Sequence, residues 1–160
     1  MILTLIRNKN FIFPSTNAIG ASFFHDEVVS ASRAELFSKV IGHFDNGDTV
    51  SSISPFFLVS LASPGILKLL TKPEIEANLL RMVHTEQQLY FFNAICAGMM
   101  LKFLHRVSDI SSTAAGETLT VETICKEAVS GSMVCFSKAK FLFKGNSNRS
   151  IPRRVQNDNL

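Results

Sequence analysis

The apolar positions between Thr71 and Val107 recur at steps of three and four. One row runs Leu80, Val83, Gln87, Tyr90, Ala94, Ala97, Leu101 and Leu104; an adjacent row runs Ile75, Leu79, Met82, Glu86, Leu89, Asn93, Cys96, Met100, Phe103 and Val107. Such spacing puts both rows on one broad helical face. Thr71-Lys72-Pro73-Glu74 has the form of a helix start: a hydroxyl acceptor, a proline in the first turn, and a carboxylate three residues after the threonine. His105 and Arg106 place basic groups where a helix C-terminus prefers them. The pattern therefore predicts one long helix over about 73–107. Its first half is amphipathic. Leu89 to Leu104 is apolar nearly all round, broken only by Asn93 and Lys102, and a helix apolar on every side is buried in a core, an assembly or lipid.

The remaining pattern adds helices around that one. Val29, Leu36, Phe37, Val40, Ile41 and Phe44 make a stripe for a helix from about His25 to Phe44, ended by the turn Asp45-Asn46-Gly47-Asp48. Ser54-Pro55 and Ser63-Pro64 each read as a cap followed by proline at the first helical position, giving two short helices over 55–62 and 64–70. Small polar residues from Ser108 to Glu117 read as a linker. Val121, Ile124, Cys125, Ala128 and Val129 have helical spacing to about Phe136; beyond Gly131, Ala139, Phe141 and Phe143 alternate as a strand would, and that stretch stays open. At the N-terminus, Ile2–Ile6 and Phe11–Phe13 flank a polar turn. A short hairpin, a frayed helix and disorder all fit there. The fold class expected is mainly α: a single helical domain over 1–145, followed by a disordered basic tail over 146–160.

Composition narrows this picture. The 160 residues are enough for one domain with a real core, but only 18% are charged, so the chain is short of polar surface. A partner, self-association or a membrane would relieve that shortage. The net charge of +3 is concentrated late: from Lys138 onward there are six basic residues against Asp158, leaving ten basic and twelve acidic residues before it. No broad basic face is implied, which disfavours nucleic acid as a partner. Cys96, Cys125 and Cys135 are an odd set without a C-x-x-C pair, and Cys96 and Cys125 occupy apolar helical positions. They read as reduced, buried thiols. With no signal peptide at the N-terminus, this favours the cytoplasm, localisation being otherwise open.

Chemistry-bearing motifs are sparse. His25, His43, His84 and His105 do not pair at metal-ligand spacing. His25-Asp26-Glu27 reads as a charged first helical turn, and no nucleophile elbow, glycine-rich phosphate loop or EF-hand loop is present. No catalytic, cofactor-binding or metal residue is assigned, and no cofactor is expected. Pro73-Glu74, Leu79-Leu80, Tyr90, Leu101 and Leu104 resemble the C-terminal helix of the inner-rod and needle subunits of bacterial type III secretion. The resemblance is confined to that helical spacing and the chain runs on past it, so the family is not adopted.

The resulting expectation is a non-enzymatic helical interaction or assembly protein, in the manner of a small bacterial accessory or secretion-related factor, with a protein partner or a second copy bound. Its interaction face would comprise Tyr90, Asn93, Ala94, Ala97, Gly98, Leu101 and Leu104, where small residues admit a neighbouring backbone. The alternative is a membrane-associated protein inserting a helical hairpin made of 53–70 and 89–104.

Overall fold

The computed structural model describes residues 18–42, 53–75 and 77–144. The sheet begins with β1 (Ser22–Val28), followed by helices α1 (Ala31–Val40) and α2 (Phe57–Leu70), then β2 (Met82–Phe91), β3 (Met100–Thr113), β4 (Gly116–Glu127) and β5 (Met133–Lys144). The strands form one antiparallel sheet in the order β1-β3-β4-β5-β2, and α2 packs on its concave face.

This overturns the mainly α expectation. The span read as one helix is two strands joined by a loop, with Gly98 at φ +83° in that loop. Thr71 caps the end of α2 instead of opening a helix: its Oγ1 donates to the Lys68 carbonyl. The likeness to secretion-rod subunits falls with the helix that carried it. The residues read as a linker are the end of β3, the start of β4 and the tight turn between them, where Thr113 pairs with Gly116. The segment read as a helix to Phe136 is mostly β4. The open stretch from Ala139 is strand, as its alternation allowed. His25 lies in a strand, and the helix expected around it is confined to α1, where Ser30 Oγ accepts from the Arg33 amide as N-cap. The expected N-terminal hairpin and C-terminal tail lie outside the described residues.

Strand alternation explains the architecture. Leu101, Phe103, His105 and Val107 of β3 point to the concave side, as do Leu119, Val121, Thr123 and Cys125 of β4. On the convex face the register aligns Phe24, Leu104, Ile124, Phe136 and Tyr90 side by side, a stripe crossing all five strands. Such cross-strand apolar and aromatic pairs stabilise a sheet even where they are wet. Sites of alternating charge flank the stripe: Glu122 bridges Arg106 and Lys138, and Glu86 meets Lys140.

The core beneath α2 falls into two apolar clusters. One gathers Phe57, Leu58, Leu61, Leu101, Phe103 and Cys125; the other gathers Leu69, Leu70, Val107, Leu119, Val121 and Phe141. Hydrogen-bonding side chains lie between them.

The seven residues of the expected interaction face do not share one surface. Leu101 is fully buried in the core, whereas Tyr90 and Leu104 lie on the convex stripe. Ala94, Ala97 and Gly98 are exposed in the β2–β3 loop, where Asn93 donates to the Met133 carbonyl. The membrane alternative loses both its segments: residues 89–104 are not helical, and among the described residues no helix is long and apolar enough to cross a membrane.

Candidate active site

Four polar side chains cross the concave face of the sheet in a line. In register, His105 of β3 lies opposite Thr123 of β4, and Thr123 lies opposite Ser137 of β5. His25 of β1 closes the line at one end, and Gln87 of β2 flanks it at the other. His105, Thr123 and Ser137 are buried, with His105 at 0% exposure. Burying a polar group without a partner costs a few kcal/mol, so each needs an account.

Three of them account for one another. The Thr123 hydroxyl lies 2.8 Å from His105 Nδ1, His105 Nε2 lies 3.3 Å from His25 Nδ1, and His25 Nε2 lies 3.3 Å from the carbonyl oxygen of Leu61. A carbonyl only accepts, so His25 Nε2 must carry a proton. When each ring carries a single proton, His25 Nδ1 accepts from His105 Nε2–H, and His105 Nδ1 accepts from the Thr123 hydroxyl. One backbone oxygen thereby sets the direction of the whole chain. Phe103 stacks on His25, with ring centroids 4.9 Å apart and planes 9° from parallel. Burial pushes the His105 imidazole down to about 4, with the neighbouring His25 ring as a smaller contribution, so His105 is uncharged at neutral pH.

Helix α2 is shaped to this arrangement. Pro64, inside the helix, has no N–H to give Ser60. Gly65 follows it and rests directly on the histidines. A Cβ there would come within 2.5 Å of His25 Cε1 and Nδ1, and closer still to His105 Nε2. Glycine is the residue that lets the helix backbone approach the rings.

On its other side the row meets a cleft between α2 and the sheet. Leu58, Val59, Ala62, Ile66, Leu89 and Phe103 supply apolar walls, while Thr123, Ser137 and Gln87 supply the polar groups. Its free volume of about 20 Å³ matches a single water molecule. Ser137 makes no hydrogen bond among the described residues, so its hydroxyl is available to the cleft. Cys125 and Cys135 also line it. Burial pushes their thiols up to about 12 and about 11, which removes them as nucleophiles. Cys96, expected to be buried, is exposed.

No family model matches the sequence, and no curated protein does. Solved structures do match. The C-terminally truncated HadBC (3R-hydroxyacyl-ACP dehydratase) complex of Mycobacterium tuberculosis aligns with 79% of this chain and 98% of its own, at TM-score 0.67 and 14% identity. The R-hydratase PhaJ1 of Pseudomonas aeruginosa aligns with 80% of this chain and 83% of its own, at 0.59 and 17%. A fluoroacetyl-CoA-specific thioesterase, FlK, aligns with 78% and 85%, at 0.58 and 13%. The fold is thus the hotdog fold, a sheet curled around one helix. At these identities the likeness establishes the fold alone. The expectation of a non-enzymatic assembly protein is corrected here: it rested on a helix the chain does not form, and these matching structures are enzymes.

Composition and spacing did not reveal this row. His25 and His105 are 80 residues apart in sequence. The available signal was local and confined to β3, where His105 occupies an inward position among Leu101, Phe103 and Val107.

Proposed function

We propose that the chain is an enzyme of the hydratase and dehydratase class, adding water to or removing it from an acyl chain carried as a thioester. The observation that carries this reading is the cleft under α2. Its lining, though not its volume of about 20 Å³, has the chemistry of a small-molecule site: apolar walls with a few convergent polar groups. Dehydratase and hydratase activities named for matching structures support it. The apolar walls suit the acyl chain, and Thr123, Ser137 and Gln87 suit the water and the thioester carbonyl. The direct test is incubation of the purified chain with a short trans-2-enoyl-CoA, following loss of the enoyl-thioester absorbance while a thiol reagent reports free CoA. Absorbance loss without thiol release supports the reading. Thiol release would make the chain a thioesterase, and no change in either signal would refute both.

The enzyme works as a self-associated pair joined along β2. That strand ends the sheet and leaves one side of its backbone unpaired, a template for another strand. Exposed apolar side chains gather beside it: Val83, Phe91 and Phe92, with Phe56 set edge-on against Phe91 at 6.2 Å. Size-exclusion chromatography with light scattering should give twice the chain mass. Replacing Phe91 and Phe92 with Asp should return the chain mass itself, and a wild type that elutes as a monomer at micromolar concentration refutes the pairing.

A further inference from the structure

The geometry points to a water-activating relay, Thr123–His105–His25, as the catalytic machinery of this site; this rests on the reading of the chain as an acyl-thioester hydratase. Thr123 is the member that touches the cleft. Its hydroxyl proton is committed to His105 Nδ1, so its oxygen faces the cleft as an acceptor. The space of about 20 Å³ has room for one water, which would donate to that oxygen, and Ser137 lines the same space. The nucleophile, its base and an orienting group for the base are then in series, the arrangement that activates a hydroxyl or a water.

The step balances without any co-reactant. The water oxygen bonds to C3 of the enoyl thioester while one water proton passes to Thr123 Oγ1, whose own proton moves to His105 Nδ1. The C2=C3 π pair shifts to give the thioester enolate, whose oxygen accepts from the Ser137 hydroxyl and the Gln87 amide. The proton on His105 returns through Thr123 to C2, and the catalyst is restored. His105 becomes a cation only in between, when its Nε2–H still donates to His25 Nδ1. His25, held by the Leu61 carbonyl, orients that base without touching the reacting atoms, and so acts as a positioning residue.

The polar row also explains the split core. An aliphatic residue at each position would give one continuous apolar cluster; instead the chain buries three hydrogen-bonding residues beside a half-buried His25 and spends a glycine on the helix to fit the histidines.

The experiment compares wild type with Thr123→Val, Thr123→Ser and His25→Phe, each checked for native circular dichroism. Thr123→Val keeps the shape but has no proton to relay, and should lower kcat on the order of 100-fold with KM little changed. Thr123→Ser should recover most of the loss. His25→Phe should lower kcat less and move the acid limb of the kcat/KM profile. A ¹⁵N spectrum of the histidine rings reads the relay without turnover, and should show His105 protonated at Nε2 and bare at Nδ1. If wild type hydrates enoyl thioesters while Thr123→Val keeps its kcat, the relay is wrong and the functional reading stands. The opposite tautomer at His105 overturns the relay as well. If wild type turns over no thioester, both fail.

Discussion

Gly65→Ala places two effects in opposition, and the structure decides between them. Within a helix, alanine is better than glycine by about 0.5–1 kcal/mol, so on propensity alone the substitution stabilises. Here the added methyl lies 2.5 Å from two atoms of the His25 ring, where ordinary contact begins at 3.4 Å, and nearer still to His105 Nε2. The helix must therefore lift by about 1 Å or the rings must move, and overpacking of this kind costs roughly 1–3 kcal/mol. Either response also stretches the bonds from His25 to Leu61 or from His105 to His25, and a buried group left unpaired costs about 1–3 kcal/mol more. The net expectation is a loss of about 1–5 kcal/mol once the helical gain is subtracted. Urea unfolding followed by circular dichroism measures it as a lower midpoint at unchanged slope. Adding His25→Ala removes two of the three crowded atoms, so the double variant should fall short of additivity by about 1 kcal/mol or more. A Gly65→Ala protein as stable as wild type, or more stable, would show that α2 is not seated on the histidine pair.

Two further outcomes follow from the same site. The folded protein refuses a proton at His105 until about pH 4, whereas the unfolded chain accepts one near 6.5. The unfolded state thus binds more protons between those values. Stability should be full above about pH 6.5, should fall by up to about 3 kcal/mol as pH drops to 4, and should owe nothing more to this group below that. Urea midpoints across that range check it, and a His105→Asn variant with the same slope would refute it. For the thiols, Cys96 is exposed while Cys125 and Cys135 are buried and strongly shifted against ionisation. A disulfide reagent at pH 8 should titrate one thiol quickly in native protein and all three in denaturant; fast reaction of two or three in the native state would mean that the cleft opens far more than its walls show.

Part of this architecture is legible in the sequence and part is not. The apolar α2 segment and the α1 stripe are recognisable as helices, because one-sided packing leaves a 3.6-residue signature. Pro64 divides α2 on paper into two helices, yet the chain continues through it. The strands β2 and β3 misled for a specific reason. In β3 the inward face carries His105 among Leu101, Phe103 and Val107, while the outward face carries Leu104 and Met100 among Lys102 and Arg106. Apolar residues on both faces and a polar one inside erase the period-2 signal, leaving chance steps of three and four. The convex stripe and the polar row, the two features that give the sheet its character, are thus what disguised it. The site was illegible for a related reason. Its members come from five strands: the register aligns His105, Thr123 and Ser137, while His25 and Gln87 join diagonally from β1 and β2. Seen singly, His25 is a helix-turn residue and His105 a C-terminal charge.

The strand order also sets a timetable for assembly. The β3–β4–β5 meander is joined by short turns and can close early, but β1 must find β3 across the 80 residues between His25 and His105. Topologies with such distant pairings fold in milliseconds to seconds, slower than local ones. Helix α2 gains little on its own, since Pro64 interrupts its hydrogen bonding and isolated helices of its 14 residues are marginal in water. During translation at about 5–20 residues per second, roughly 4–15 seconds separate the emergence of α2 from that of β5. For that interval an apolar stretch, Phe57 to Leu70, has no sheet to lie in. The segment whose apolar side is covered by the sheet in the finished molecule is, on the ribosome, an exposed liability, and the natural place for a chaperone to hold the growing chain.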